Sequence, residues 1–170
     1  MNVILIGMPA SGKSCMGRSL SKILKMKNLD TDRLIEQKTG RLLQNIINED
    51  GLDEFKRIEE EVLCSVSGDN LIISTGGSAV YYEKAMNHFK KIGMVVYLYA
   101  GLDTIVKRLG DFSKRGIALK EGQTIEDLYN ERCRLYEQYA DITVNCDGTA
   151  YAKHRDDAVK AIRRFSGRTK

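Results

Sequence analysis

The sequence contains no tryptophan and a single proline, Pro9, among its 170 residues, and its four cysteines stand far apart. Cys15, Cys64, Cys133 and Cys146 show no CxxC or Cys/His ligand spacing. That argues against a zinc site or a disulfide framework and for reduced thiols. Long apolar runs are also missing: none approaches the roughly 20 residues that span a bilayer, so no membrane partner is expected. Val3-Ile4-Leu5-Ile6 follows the start at once, with no charged leader or cleavage pattern, and a cytosolic location is expected. Excess charge of one sign is small. The formal net charge is +4, much of it from Arg163, Arg164, Arg168 and Lys170, which read as a frayed, solvated end. With no pattern of interleaved aromatic and basic residues, no nucleic-acid partner is expected either. Internal repeats and low-complexity linkers are absent. What is present is ordinary: 42% hydrophobic and 29% charged residues, the balance of one soluble domain with one core. No exposed apolar stripe is left over for a second subunit, so a monomer is expected.

Short apolar runs alternate with longer segments of helical period, which predicts an α/β fold around a parallel sheet. Five strands are predicted: Val3 to Ile6, a short one ending at Asp30, Leu71 to Ser74, Met94 to Leu98 and Ile142 to Asn145. Their apolar character suits strands covered on both faces, as in a three-layer α/β/α sandwich. Helices are predicted over Lys13–Leu24, Asp32–Lys38, Leu42–Asn48, Leu52–Ser65, Tyr82–Lys90, Leu102–Leu109, Thr124–Tyr139 and about Ala150–Phe165. Residues 110–123 are polar, charged and punctuated by glycine, and read as a mobile lid between two helices.

Between the first strand and the first helix stands Gly7-Met8-Pro9-Ala10-Ser11-Gly12-Lys13-Ser14, a full match to G-x-x-x-x-G-K-[ST]. The glycines let the backbone wrap close to phosphate oxygens, and the helix N-terminus behind them adds a positive dipole end. The loop with Ala10, Ser11 and the adjoining Cys15 is therefore the candidate nucleotide cradle. Lys13 is expected to bridge the β- and γ-phosphates of ATP, and the Ser14 hydroxyl to ligate Mg²⁺. No guanine-reading Asn/Thr-Lys-x-Asp element follows, and no strand ends in the usual Walker B aspartate. Instead the second strand ends in Asp30-Thr31-Asp32, two carboxylates placed to serve a metal and an acceptor hydroxyl; Asp32 equally suits the N-cap of the next helix. Strand Leu71 to Ser74 runs into Thr75-Gly76-Gly77-Ser78. There, at the carboxyl edge where open α/β sheets bind ligands, adjacent glycines allow close approach to the backbone; a plain tight turn is the other reading.

The whole constellation resembles the shikimate kinase family, P-loop enzymes of nucleoside monophosphate kinase-like fold. Beyond the P-loop, Leu29 to Glu36 resembles its acidic segment and Gly51 to Glu59 its G-E-x-x-F-R-x-x-E helix. Ser74 to Val80 resembles its triple-glycine turn, and Val95 to Leu98 the strand that follows. Lys114 to Leu119 resembles its lid and Tyr129 to Tyr136 its Y-x-x-R-x-x-x-Y helix. The resemblance implies one kinase domain over 1–170, with a substrate-binding segment at about 31–60, making shikimate 3-phosphate for aromatic amino-acid synthesis. It also implies roles. Asp30 helps hold Mg²⁺, and Asp32 orients or deprotonates the acceptor hydroxyl. Gly76 and Gly77 offer backbone amides, Arg132 pairs with the substrate carboxylate, Arg115 swings over the phosphates, and Arg108 lies near the adenine. Three positions depart from the pattern: Lys56 where arginine is expected, Ser78 where a third glycine is expected, and Gly116 where the lid has proline. Lysine lacks the two-pronged fork of arginine, and Ser78 adds a side chain able to hydrogen-bond an acceptor. Donor chemistry is untouched, and the acceptor lies between shikimate and another small hydroxylated metabolite.

Overall fold

The computed structural model describes residues 1–110, 122–148 and 150–168. Among them are five strands: β1 (Asn2–Ile6), β2 (Lys27–Asp30), β3 (Leu71–Ser74), β4 (Gly93–Tyr99) and β5 (Ile142–Asn145). They form one parallel sheet in the order β2-β3-β1-β4-β5. The helices are α1 (Lys13–Leu24), α2 (Thr31–Thr39), α3 (Leu43–Asp50), α4 (Leu52–Ser65), α5 (Glu83–Ile92), α6 (Leu102–Leu109), α7 (Ile125–Tyr139) and α8 (Tyr151–Arg168). A short 3₁₀ turn, Ala79–Tyr81, stands ahead of α5. None of these helices is long and apolar enough to cross a membrane.

Strand β1 shows why the sheet sits in the middle. Successive side chains of a strand point to opposite faces. Val3 and Leu5 pack with Met16 and Leu20 of α1 and with Ala158, Val159 and Ile162 of α8. Ile4 and Ile6 pack with Leu63, Met86, Phe89, Ile105 and Tyr136 on the opposite side. All four β1 residues are fully buried, and each such side chain contributes about 1.5–3 kcal/mol. Coverage of both faces holds for β1, β3 and β4 but not for the outer strands. β2 begins with exposed Lys27 and Asn28, and β5 exposes Thr143 and Asn145, because an edge strand needs less cover. The expected frayed end is helical instead: α8 continues to Arg168, with Arg163 and Arg164 exposed along it.

A smaller cluster of Ile35, Ile46 and Val62 joins α2, α3 and α4 beside the main core. These helices cover most of the 31–60 segment. The chain leaves β1 toward α1 on one face of the sheet and leaves β3 toward α5 on the other. Adjacent strands whose connections diverge this way open a crevice at their carboxyl ends.

Candidate active site

The phosphate loop fills that crevice. Gly7 has φ 148°, and a Cβ there would lie 2.7 Å from the Leu98 carbonyl oxygen, so only glycine fits. Gly12 at φ 100° and Ala10 at φ 63° turn the loop back on itself. Gly17, one turn into α1, lets the helix lie against β3: a Cβ would sit 2.3 Å from Ser74 Oγ, which itself donates to the Lys13 carbonyl. Two polar groups of the loop mark it as a ligand site. Lys13 Nζ, nearly buried, donates to the carbonyls of Gly7 (2.7 Å) and Met8 (2.9 Å), within its own loop. Ser11 Oγ is buried with no hydrogen-bond partner among the described residues. Burial pulls the Lys13 ammonium down to about 8; Asp32 opposes this, Arg132 adds to it, and Asp30 opposes it again.

Strand β2 delivers the carboxylates. Asp30 is the N-cap of α2, its Oδ1 accepting from the Asp32 N–H at 3.2 Å. The cap is therefore Asp30, and Asp32 stands in the first turn with its carboxylate turned into the cavity. Burial, reinforced by Asp30, pushes Asp32 above the usual carboxylate range against the pull of Lys13. Between them, buried Thr31 accepts at Oγ1 from the Gly76 N–H (3.3 Å), tying the acidic segment to the glycine turn.

That turn is held by the end of β1: both the N–H and the hydroxyl of Thr75 donate to the Leu5 carbonyl. At Gly76 a Cβ would lie 2.9 Å from Glu59 Oε1 and 3.1 Å from Asp32 Oδ1. At Gly77 it would meet Pro9 Cδ at 2.8 Å and Arg132 Nη1 at 3.0 Å. The two glycines are thus where three charged side chains, Glu59, Asp32 and Arg132, converge. Arg132 arrives on α7, whose Thr124–Asp127 capping box contributes about 1 kcal/mol. Tyr129 and Tyr136 on the same face donate to the carbonyls of Ala100 (3.0 Å) and Gly77 (2.7 Å), fixing the helix above the turn. Arg132 is nearly buried, lies 5.2 Å over the Tyr81 ring and donates to its hydroxyl.

Lys13, Ser14, Cys15, Asp32, Lys56, Gly76, Gly77, Ser78 and Arg132 all line one cavity of about 1050 Å³. This lies at the upper end of the roughly 300–1,000 Å³ range of small-molecule sites. A smaller cavity of about 120 Å³, behind Ala10, Ser11 and Gly12, is bordered by Arg108, whose guanidinium donates to the carbonyls of Cys146 and Gly148. Lys56 is half-exposed, with its ammonium 3.7 Å from Asp53. Arg57, a third of a turn away, pairs with Glu54 and Glu61 on the outer face of α4. Arg115 and most of the expected lid lie outside the described residues.

Three contributors take roles that the sequence alone does not assign. Glu59 is 1% exposed and accepts from Ser78 Oγ and the Tyr82 hydroxyl; Tyr81 backs Arg132. Glu59 did leave a signal, because it occupies an apolar slot in the α4 stripe that includes Phe55, Val62 and Leu63. The two tyrosines left none.

A cradle for a polyphosphate, a semi-buried carboxylate a short reach away and a guanidinium across the same cavity define a P-loop small-molecule kinase. Comparison narrows the class. The family model for shikimate kinase matches residues 9–163. A shikimate kinase of Clostridium botulinum (strain Langeland) is 37% identical over 171 aligned residues, spanning 98% of each chain. The structure of shikimate kinase from Acinetobacter baumannii in complex with shikimate superposes with a TM-score of 0.86 at 30% identity, covering 98% of this chain and 93% of that one. The Aquifex aeolicus enzyme gives 0.82 at 27%, covering 98% of each. The chain belongs to the shikimate kinase family.

Proposed function

We propose that this protein transfers the γ-phosphoryl group of ATP to the 3-hydroxyl of shikimate, with Mg²⁺ as the accompanying cation. The observation that carries the reading is the convergence of Lys13, Asp32 and Arg132 on one cavity. On this reading Lys13 exchanges its two loop carbonyls for phosphate oxygens, Ser11 Oγ gains the partner it lacks, and the N–H groups of Gly12 to Cys15 face the phosphates. Arg132, steadied by Tyr81, takes the acceptor's carboxylate, while the amides of Gly76 and Gly77 and the side chains of Lys56 and Ser78 line its bed. Asp32 accepts the hydroxyl proton as the phosphoryl group moves; its raised proton affinity suits that task.

The residues present fit the cation. Mg²⁺ is commonly held by one or two protein oxygens plus substrate phosphates. Ser14 offers an exposed hydroxyl at the start of α1, and Asp30 a second carboxylate oxygen beside the one that caps α2. When bound with the nucleotide, Mg²⁺ neutralises charge on the phosphates. Arg108 borders the cavity behind the loop, on the side left for the adenine. Arg115, outside the described residues, has the role that the family resemblance implies for it, stabilising charge on the phosphates. We also read the enzyme as a cytosolic monomer acting on a small molecule alone. Its large exposed apolar residues are scattered or line the cavities, and its four thiols are free.

An ADP-release assay with Mg·ATP and a panel of shikimate, quinate, gluconate, homoserine and nucleoside monophosphates tests the reading. Shikimate is expected to drive release at least tenfold faster than any other member. Turnover of another alcohol in preference to shikimate would overturn the acceptor while leaving the donor chemistry in place.

A further inference from the structure

Glu59 is a buried acid that makes no direct ion pair among the described residues. Its carboxylate is held by hydroxyls alone: Ser78 Oγ at 2.7 and 2.8 Å from its two oxygens, and the Tyr82 hydroxyl at 2.7 Å from Oε2. Its natural helical partner one turn back, Lys56, has its ammonium at Asp53 on the half-exposed side of α4. The charged neighbours that bear on Glu59 are Asp32, which repels it, and Arg132, which attracts it, and burial raises its proton affinity. A link between α4 and the turn before α5 needs no charge. Burying a carboxylate costs more than burying an apolar side chain of similar size. The acid therefore calls for a role in the cavity, which Glu59, Ser78 and Tyr82 all line.

Position supplies that role. Glu59 Oε1 and Asp32 Oδ1 flank the bare backbone of Gly76, and Arg132 stands across the same turn at Gly77. One end of the acceptor bed is thus acidic and the other cationic. An acceptor carrying a carboxylate and hydroxyls fits one way round, with its carboxylate at Arg132 and its hydroxyls toward Asp32 and Glu59. We propose that Ser78, together with Tyr82, is a positioning residue that locks Glu59 as the hydroxyl-facing wall of the acceptor site, doing with a neutral hydroxyl what Lys56 does not do with a charge. This rests on the kinase reading above and deepens it.

The test compares Ser78→Ala, Ser78→Thr, Tyr82→Phe and the double variant Ser78→Ala/Lys56→Arg with the parent. For each, KM for the acceptor, KM for ATP, kcat and the melting midpoint are measured. Loss of a hydrogen bond to a carboxylate is expected to raise acceptor KM about tenfold in Ser78→Ala and in Tyr82→Phe. KM for ATP should stay within about twofold, because the donor half is separate. Ser78→Thr keeps the hydroxyl and is expected to retain parental KM. Arginine at position 56 should recover a large part of what Ser78→Ala loses, since its longer fork supplies charge to Glu59. An unmoved acceptor KM in both single variants overturns the inference. So does a rise in both KM values that follows the melting midpoint, which marks a structural tie only. The two readings fail separately. If the parent prefers another carboxylated alcohol, the choice of shikimate falls and the same comparison is made on that alcohol. An active parent with indifferent Ser78 and Tyr82 variants sinks only the positioning role.

Discussion

Lys13→Met is expected to lower kcat/KM for ATP by on the order of 10³-fold, the cost of removing a preorganised donor from a developing charge. The ammonium is nearly buried and already aligned by two carbonyls of its own loop, so its reorganisation on binding phosphate is small. ADP release measures the loss. A fall of less than tenfold would mean that Lys13 does not touch the transferring group. The same side chain leaves a mark on stability. Its folded value of about 8 lies below the ordinary 10.5, so between these limits the unfolded chain holds a proton that the folded one has released. Stability of the ligand-free parent therefore rises with pH across that window. Below about pH 8 the buried charge costs on the order of 3 kcal/mol. Lys13→Met lacks this component, so its denaturation midpoint relative to the parent should decline between pH 8 and 10.

Asp32→Asn is the second large effect. Removing a positioned base typically costs about 10²–10⁴-fold in rate, and here the loss should fall on kcat with acceptor KM little changed. Burial and Asp30 raise the carboxyl above its ordinary value of 3.8. For a group shifted this way, the folded state binds its proton more tightly than the unfolded state. The charge is absent from both at low pH and becomes a cost as pH rises through the folded value. At neutral pH the asparagine variant escapes that cost and should melt a few degrees higher, at about 2–4 °C per kcal/mol for a chain of this size. The parent's kcat should climb with pH through the raised value and then level off, and the variant should lose that slope. A variant within tenfold of the parent in kcat, or one that melts lower, contradicts the assignment.

Both effects have one origin: the groups that serve transfer are those the empty fold holds at a cost. Much of this was legible in the chain. The phosphate loop declares itself because its backbone conformations admit few residue types, as at Gly7, where any Cβ meets the Leu98 carbonyl. The inner strands declare themselves through unbroken apolar runs, and α1, α4 and α6 begin and end where their periodicity does. Boundaries blurred where two residues compete for one task. Asp30 and Asp32 are equally good caps, and only the turn of the chain after β2 assigns the cap to Asp30. Tyr82 reads as the first residue of a helix, yet it stands before α5 and spends its hydroxyl on Glu59. The departures at Lys56 and Ser78 were visible as letters, but their meaning depends on direction. Lys56 turns out toward Asp53 and Ser78 turns in toward Glu59, and no spacing rule encodes that pair of choices. Tyr81 is similar: a half-exposed aromatic at the end of the 3₁₀ turn gains its role only because α7 brings Arg132 across it.

The sharpest test of this arrangement is a crystal structure of the protein with a non-hydrolysable ATP analogue, Mg²⁺ and shikimate. Lys13 Nζ is expected to have moved from the Gly7 and Met8 carbonyls onto phosphate oxygens, with the acceptor carboxylate on Arg132 and one ring hydroxyl within hydrogen-bond distance of Asp32 and in line with the terminal phosphate. Phosphates bound elsewhere with Lys13 still on its own loop, or a ring seated with its carboxylate toward Asp32, would contradict it.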